Sequence, residues 1–83
     1  MAFRKINFGE ENIETQIVIW VHKDGENLVA DMHHPMESST LVGQPLDKVV
    51  DIASQQREIT PGNPEVVVID EGNHWPKNYR PLI

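Results

Sequence analysis

Four histidines and the acids near them are the side chains of this 83-residue chain best suited to hold a metal or move a proton. Asp31 and His33 stand two apart, His34 is adjacent, and His22 lies upstream beyond a turn. Adjacent residues on a strand point to opposite faces, so His33 and His34 make a poorer ligand pair than histidines two apart would. The sequence has no cysteine, no HExxH and no carboxylate-rich calcium loop, and the expectation is histidines near turns, with no metal or cofactor. Ser38, Ser39 and Thr40 follow the histidine pair, but nothing resembles a nucleophile elbow. Asp70 and Glu71 end an apolar run where acid–base work is conceivable, yet so short a chain leaves little room for a pocket of the usual ~300–1,000 Å³. Gly62 and Gly72 are isolated, so no phosphate-cradling loop is supported. The residue types therefore point away from an enzyme, with a histidine-dependent enzyme as the lesser alternative.

The stretch TQIVIWVH at residues 15–22 is the element that must position the rest. Ile17, Ile19 and Val21 point one way, and Gln16, Val18, Trp20 and His22 the other, which makes a strand with one dry and one mixed face. Asp24-Gly25 between two apolar runs is a strong hairpin signal. A two-residue loop there sets Lys23 opposite Glu26, Val21 opposite Leu28, Trp20 opposite Val29, Ile19 opposite Ala30, Val18 opposite Asp31 and Ile17 opposite Met32. One face then collects Ile17, Ile19, Val21, Leu28, Ala30 and Met32, and a one-residue slip would put polar groups among them.

Pro35 ends the second strand, Thr40-Leu41-Val42 is a brief third, and Gly43-Gln44-Pro45 breaks it. Pro45 suits the first helical position, where its missing N–H costs nothing. Leu46, Val49, Val50 and Ala53 follow at i, i+3, i+4 and i+7 and share one helical face, with Asp47 in the first turn, so the spacing predicts a helix to Gln56 or Glu58. The run Val66-Val67-Val68-Ile69 reads as a strand interior to the sheet. Residues 1–8 could add a short strand anchored by Phe3, Ile6 and Phe8, although its alternation is imperfect. The fold class is thus α+β: a small antiparallel or mixed sheet of three to four strands with one amphipathic helix on its dry face, in the order β-β-(β)-α-β. Residues 1–83 are read as one small domain and residues 74–83 as an extended tail without regular pairing.

Two strands, then Thr40-Leu41-Val42-Gly43-Gln44-Pro45-Leu46 entering a helix, resemble the small β-β-β-α-β domains of HicB-type antitoxins over residues 16–69. That resemblance implies the fold and an antitoxin-like regulator linked to nucleic acid. The family's glycine-containing stretch before the third strand is here His33-His34-Pro35-Met36, and no DNA-binding segment follows.

Charge bears on the same alternative. The formal net charge of −6 is concentrated in residues 24–71, which hold ten acids against Lys48 and Arg57, while Lys77 and Arg80 make the last stretch cationic. An acidic middle repels phosphate backbones, which disfavours nucleic acid as a partner there. No apolar run approaches the ~20 residues of a membrane span, and residues 1–11 lack a signal-peptide core, so a cytoplasmic location is expected.

The mixed hairpin face remains. Trp20, Val18 and Val29, rimmed by Gln16, Asp31 and His33, have the composition of an interface centre. Trp75, Tyr79 and Arg80 give the tail a similar character, so the tail, the N-terminal segment or another molecule should cover that face. The function read from the sequence is a non-enzymatic protein-interaction module, an accessory or inhibitory factor, with a protein partner or a second copy of itself. Small chains of this length are only marginally stable, which makes help from a partner unsurprising.

Overall fold

The computed structural model describes residues 3–36, 40–76, 79, 82 and 83. Its elements are β1 (Arg4–Ile6), β2 (Ile17–Asp24), β3 (Asn27–His33), β4 (Thr40–Pro45), α1 (Leu46–Ile59) and β5 (Val66–Ile69). They form a five-stranded mixed sheet in the order β1-β5-β2-β3-β4 with the helix on one side. The class is α+β as the periodicities indicate, but the strand count of three to four is corrected to five. The added strand is β1, which lies within the residues 1–8 read as a short strand but left out of the count for their imperfect alternation. It is held by parallel pairing of Arg4, Lys5 and Ile6 with Val67, Val68 and Ile69. Phe3 and Ile6 are buried as anchors, whereas Phe8 is not one: it lies beyond the strand and is exposed.

The hairpin register is also corrected. Val21 faces Ala30, Ile19 faces Met32, Trp20 faces Asp31, Val18 faces His33 and His22 faces Val29, a shift of two residues along β3 from the expected pairing. The turn residues are Gly25 and Glu26, flanked by the Asp24–Asn27 pair. Gly25 takes a φ of 64° and Glu26 does not share the positive sign, the pattern of a type II′ turn with glycine first, where the expectation was type I′ over Asp24-Gly25. Because the shift is even, each side chain keeps its face. Ile17, Ile19, Val21, Ala30 and Met32 still pack with Leu46, Val49, Val50 and Ala53 of α1, and Leu28 and Leu41 join at the margin.

β4 runs through Gly43 instead of stopping there. The ladder to β3 changes step between Ala30 and Met32, so that Val42 and Gly43 together face Asp31. Gly43 takes a φ of 63°, and its N–H donates to Asp31 Oδ1 at 2.8 Å, which satisfies the group that the bulge removes from the ladder. Pro45 ends the strand and is the N-cap of α1, so the helix begins at Leu46, one residue later than expected; the ψ of 138° at Pro45 is extended, not helical. β5 is buried at all four positions, between β1 and β2, as its unbroken apolar run implies. The β-β-β-α-β order implied by the resemblance is present over residues 17–69. No helix among the described residues is long and apolar enough to cross a membrane.

Candidate functional site

The second sheet face, away from α1, has two unlike halves. Toward β1 and β5 it is dry: Ile6, Val18, Val67 and Ile69 are buried and Trp20 packs against them. His33 shares the Val18 side of the sheet, and its Nε2 donates to the Ile13 carbonyl at 3.0 Å, so residue 13 lies on that side. Near the same margin Arg4 grips Glu65 through two hydrogen bonds of 2.8 and 2.9 Å, and Gln16 Nε2 adds one of 3.0 Å. The Arg4 hydrogen bonds hold the Glu65 carboxyl below the usual glutamate value, against the desolvation that would raise it.

Toward β3 and β4 the face is polar and open. Register places Ile6, Ile69, Trp20 and Asp31 in one row across the sheet, with Val42 and Gly43 beyond Asp31. Trp20 is partly buried at the boundary, and Val42 is 68% exposed. His22 Nε2 donates to Asp31 Oδ1 at 3.2 Å, the oxygen that also accepts the Gly43 N–H. That pairing draws Asp31 toward His22 and fixes the polar edge of the Trp20 patch.

Of the residues expected to form an interaction face, Trp20 and His33 stand on this face, but Val18 and Val29 are buried and offer little surface. Val29 lies diagonal to Trp20 because of the register shift. Trp75 and Tyr79 are elsewhere. They pack with Leu82 against the helix-side core, with Trp75 edge-on to Phe3 at 6.3 Å between ring centroids and Tyr79 edge-on to Trp75 at 5.6 Å. Of the covers expected for the Trp20 face, the tail docks on the other side of the sheet, and the N-terminal connection meets this face at the Ile13–His33 hydrogen bond. Two features steer the tail to the other side. Asp70, buried at the end of β5, accepts the N–H of His74 at 2.9 Å and of Trp75 at 2.7 Å on its two oxygens. Leu82 then bridges to Phe3, flanked by hydrogen bonds between Ile83 and Phe3 and between Lys5 and Ile83, so the tail is paired with β1 where no pairing was expected. Arg80, with Ser38 and Ser39, lies outside the described residues.

No group of three or more metal-ligating side chains comes together among the described residues. His33 is committed to Ile13, and His34, just past the end of β3, is buried and bonded to Thr60. Sequence reasoning missed Val42 as part of the face, because its exposure depends on a bulge; the Gly43 that it read as a strand break is the one local sign of that bulge. No protein-family model, curated protein or solved structure matches the chain.

Proposed function

We propose that the chain is a non-enzymatic protein-interaction module, an accessory or inhibitory factor, that meets a protein partner or a second copy of itself across the β2–β3–β4 end of its second sheet face. The observation that supports this reading is the row Trp20, Asp31, Val42. A tryptophan is anchored in a dry cluster on one side and bordered on the other by a hydrogen-bonded acid and an exposed valine. An aromatic anchor held in place beside a polar rim is the composition in which interface energy concentrates. The residues nearest to catalytic chemistry, His22 and Asp31, are engaged with each other and with the bulge at Gly43.

The test compares two exposed positions. Val42→Glu places a charge in the proposed contact, and Ile59→Glu places one at the end of α1, where the native side chain is 72% exposed. Both variants should melt as the native chain does. Val42→Glu should lose the increase in sedimenting mass given by the partner or by a second copy, and Ile59→Glu should keep it. Equal behaviour of the two variants would remove the support for this face.

A further inference from the structure

The two edges of the sheet differ. Beyond β1 the chain covers itself: Leu82 bridges to Phe3, the Ile83 N–H donates to the Phe3 carbonyl at 3.0 Å, and the Lys5 N–H donates to the Ile83 carbonyl at 2.8 Å. β4 forms the other edge, with no strand beyond it among the described residues. An open edge is a template for a further strand.

The hairpin fixes which groups of β4 face outward. Asp24 and Asn27 close the two-residue turn and so share hydrogen bonds, and pairs along an antiparallel ladder alternate in this respect. Val29, Asp31 and His33 therefore bond to β2, which leaves Ala30 and Met32 to bond to β4. Their partners Gln44 and Leu41 turn their N–H and C=O groups inward, and Thr40 and Val42 turn theirs away from β3. In keeping with this, the Val42 carbonyl accepts the side-chain Nε2 of Gln44 at a long 3.4 Å. Past Val42, the bulge at Gly43 and then Pro45, which has no N–H, end any added ladder. The part of the edge that can pair is Thr40–Val42.

We propose, resting on the use of Val42 as a contact residue, that the partner is a second copy of the chain whose β4 pairs antiparallel with this one about a twofold axis at Leu41. Thr40 then faces Val42 of the partner subunit, and Leu41 faces its twin. The outward groups of Thr40 and Val42 stand symmetrically about Leu41, so the strand is its own antiparallel complement. Charge does not oppose the pairing although each chain carries −6. β4 has no charged side chain, and Asp47 and Asp51 of α1 lie near Tyr79 on the tail side. Three strand spacings hold the two Asp31 carboxylates about 14 Å apart, beyond the ~8 Å over which charges act in physiological salt. Because the tail covers the β1 edge, association stops at two copies instead of growing into a fibre.

The experiment uses the whole chain, which has no native cysteine. Sedimentation equilibrium should show the mass of one copy giving way to that of two as concentration rises. Val42→Pro removes an outward N–H from an exposed position and should weaken association at least about tenfold. Single cysteines in a glutathione buffer then read the register. About a twofold axis at Leu41, that residue meets its own twin as a non-hydrogen-bonded pair with Cα atoms about 4.5 Å apart, which a disulfide spans, so Leu41→Cys should form a disulfide dimer. Leu41 also packs on the core, so the exposed Thr40→Cys and Val42→Cys give a second reading: each alone should stay reduced, and a mixture of the two should crosslink. A chain that is monomeric up to ~1 mM, a dimer indifferent to Val42→Pro, or crosslinking as efficient from either exposed cysteine alone as from the mixture would overturn the proposal. A monomer whose Val42 position, carrying a photoreactive side chain, captures another protein overturns it and keeps the Trp20-face reading; a monomer with no adduct from that position removes both.

Discussion

The ring of Trp75 meets that of Phe3 edge-on, with centroids 6.3 Å apart and planes at 61°, and this contact joins the last part of the chain to its first strand on the helix side of the sheet. Edge-on aromatic pairs add to the area they bury. Trp75→Ala should therefore destabilise the fold by about 2–3 kcal/mol, somewhat below the loss at a fully buried tryptophan because Trp75 is only partly buried. Chemical denaturation checks it. An unchanged midpoint would mean that the tail is not part of the folded core.

Asp70 sets the course of that tail, since its two oxygens hold consecutive backbone N–H groups of His74 and Trp75. Asp70→Ala leaves both donors without their acceptor and should cost about 2–4 kcal/mol; Asp70→Asn restores one acceptor and should cost less. Amide exchange at His74 and Trp75 should accelerate in both variants. Protection retained there in the alanine variant would contradict the role given to this carboxylate.

Val49 is fully buried on the face of α1 that meets the sheet. Val49→Asp places an unpaired charge there and should destabilise by at least about 4 kcal/mol, at the top of the range for single substitutions. A melting curve like that of the native chain would put this helix face elsewhere.

How far the sequence carried each of these elements depends on what encodes it. The faces of β2 and β3 follow from a period of two, and the helix face from Leu46, Val49, Val50 and Ala53, and both are found as read. The register was not readable in the same way, because pairings that differ by two residues bury the same side chains. Only the turn distinguishes them, and Gly25 serves a type II′ turn as well as it would serve type I′. β1 is stabilised by its partners: parallel pairing to β5 and the Arg4–Glu65 grip act over more than sixty positions of sequence. The destination of Trp75 is set by Asp70 and the Phe3–Leu82 bridge, which no local pattern records. In the candidate face Trp20 was legible as an aromatic among polar neighbours, whereas Val42 needed the bulge.

Tyr79 supplies a test in alkali. Burial, and then the charges of Asp47 and Asp51 on α1, raise its phenol above the usual value of 10.0. A raised pKa in the folded state gives stability that is fully present below the unfolded value and lost as pH rises through the folded one. Melting temperature should therefore fall above pH 10 more steeply in the native chain than in Tyr79→Phe, which keeps the ring against Trp75. Parallel profiles for the two proteins would mean that this phenol does not contribute.

In the proposed function, another protein sits on the Trp20–Asp31–Val42 row. Site-specific photocrosslinking in the host cell tests it most directly, with the photoreactive side chain placed in turn at Val42 and at Ile59, both largely exposed. A discrete adduct of defined mass is expected from Val42, either with one protein or with a second copy of the chain, and none from Ile59. The same adduct from both positions, or none from Val42, would contradict it.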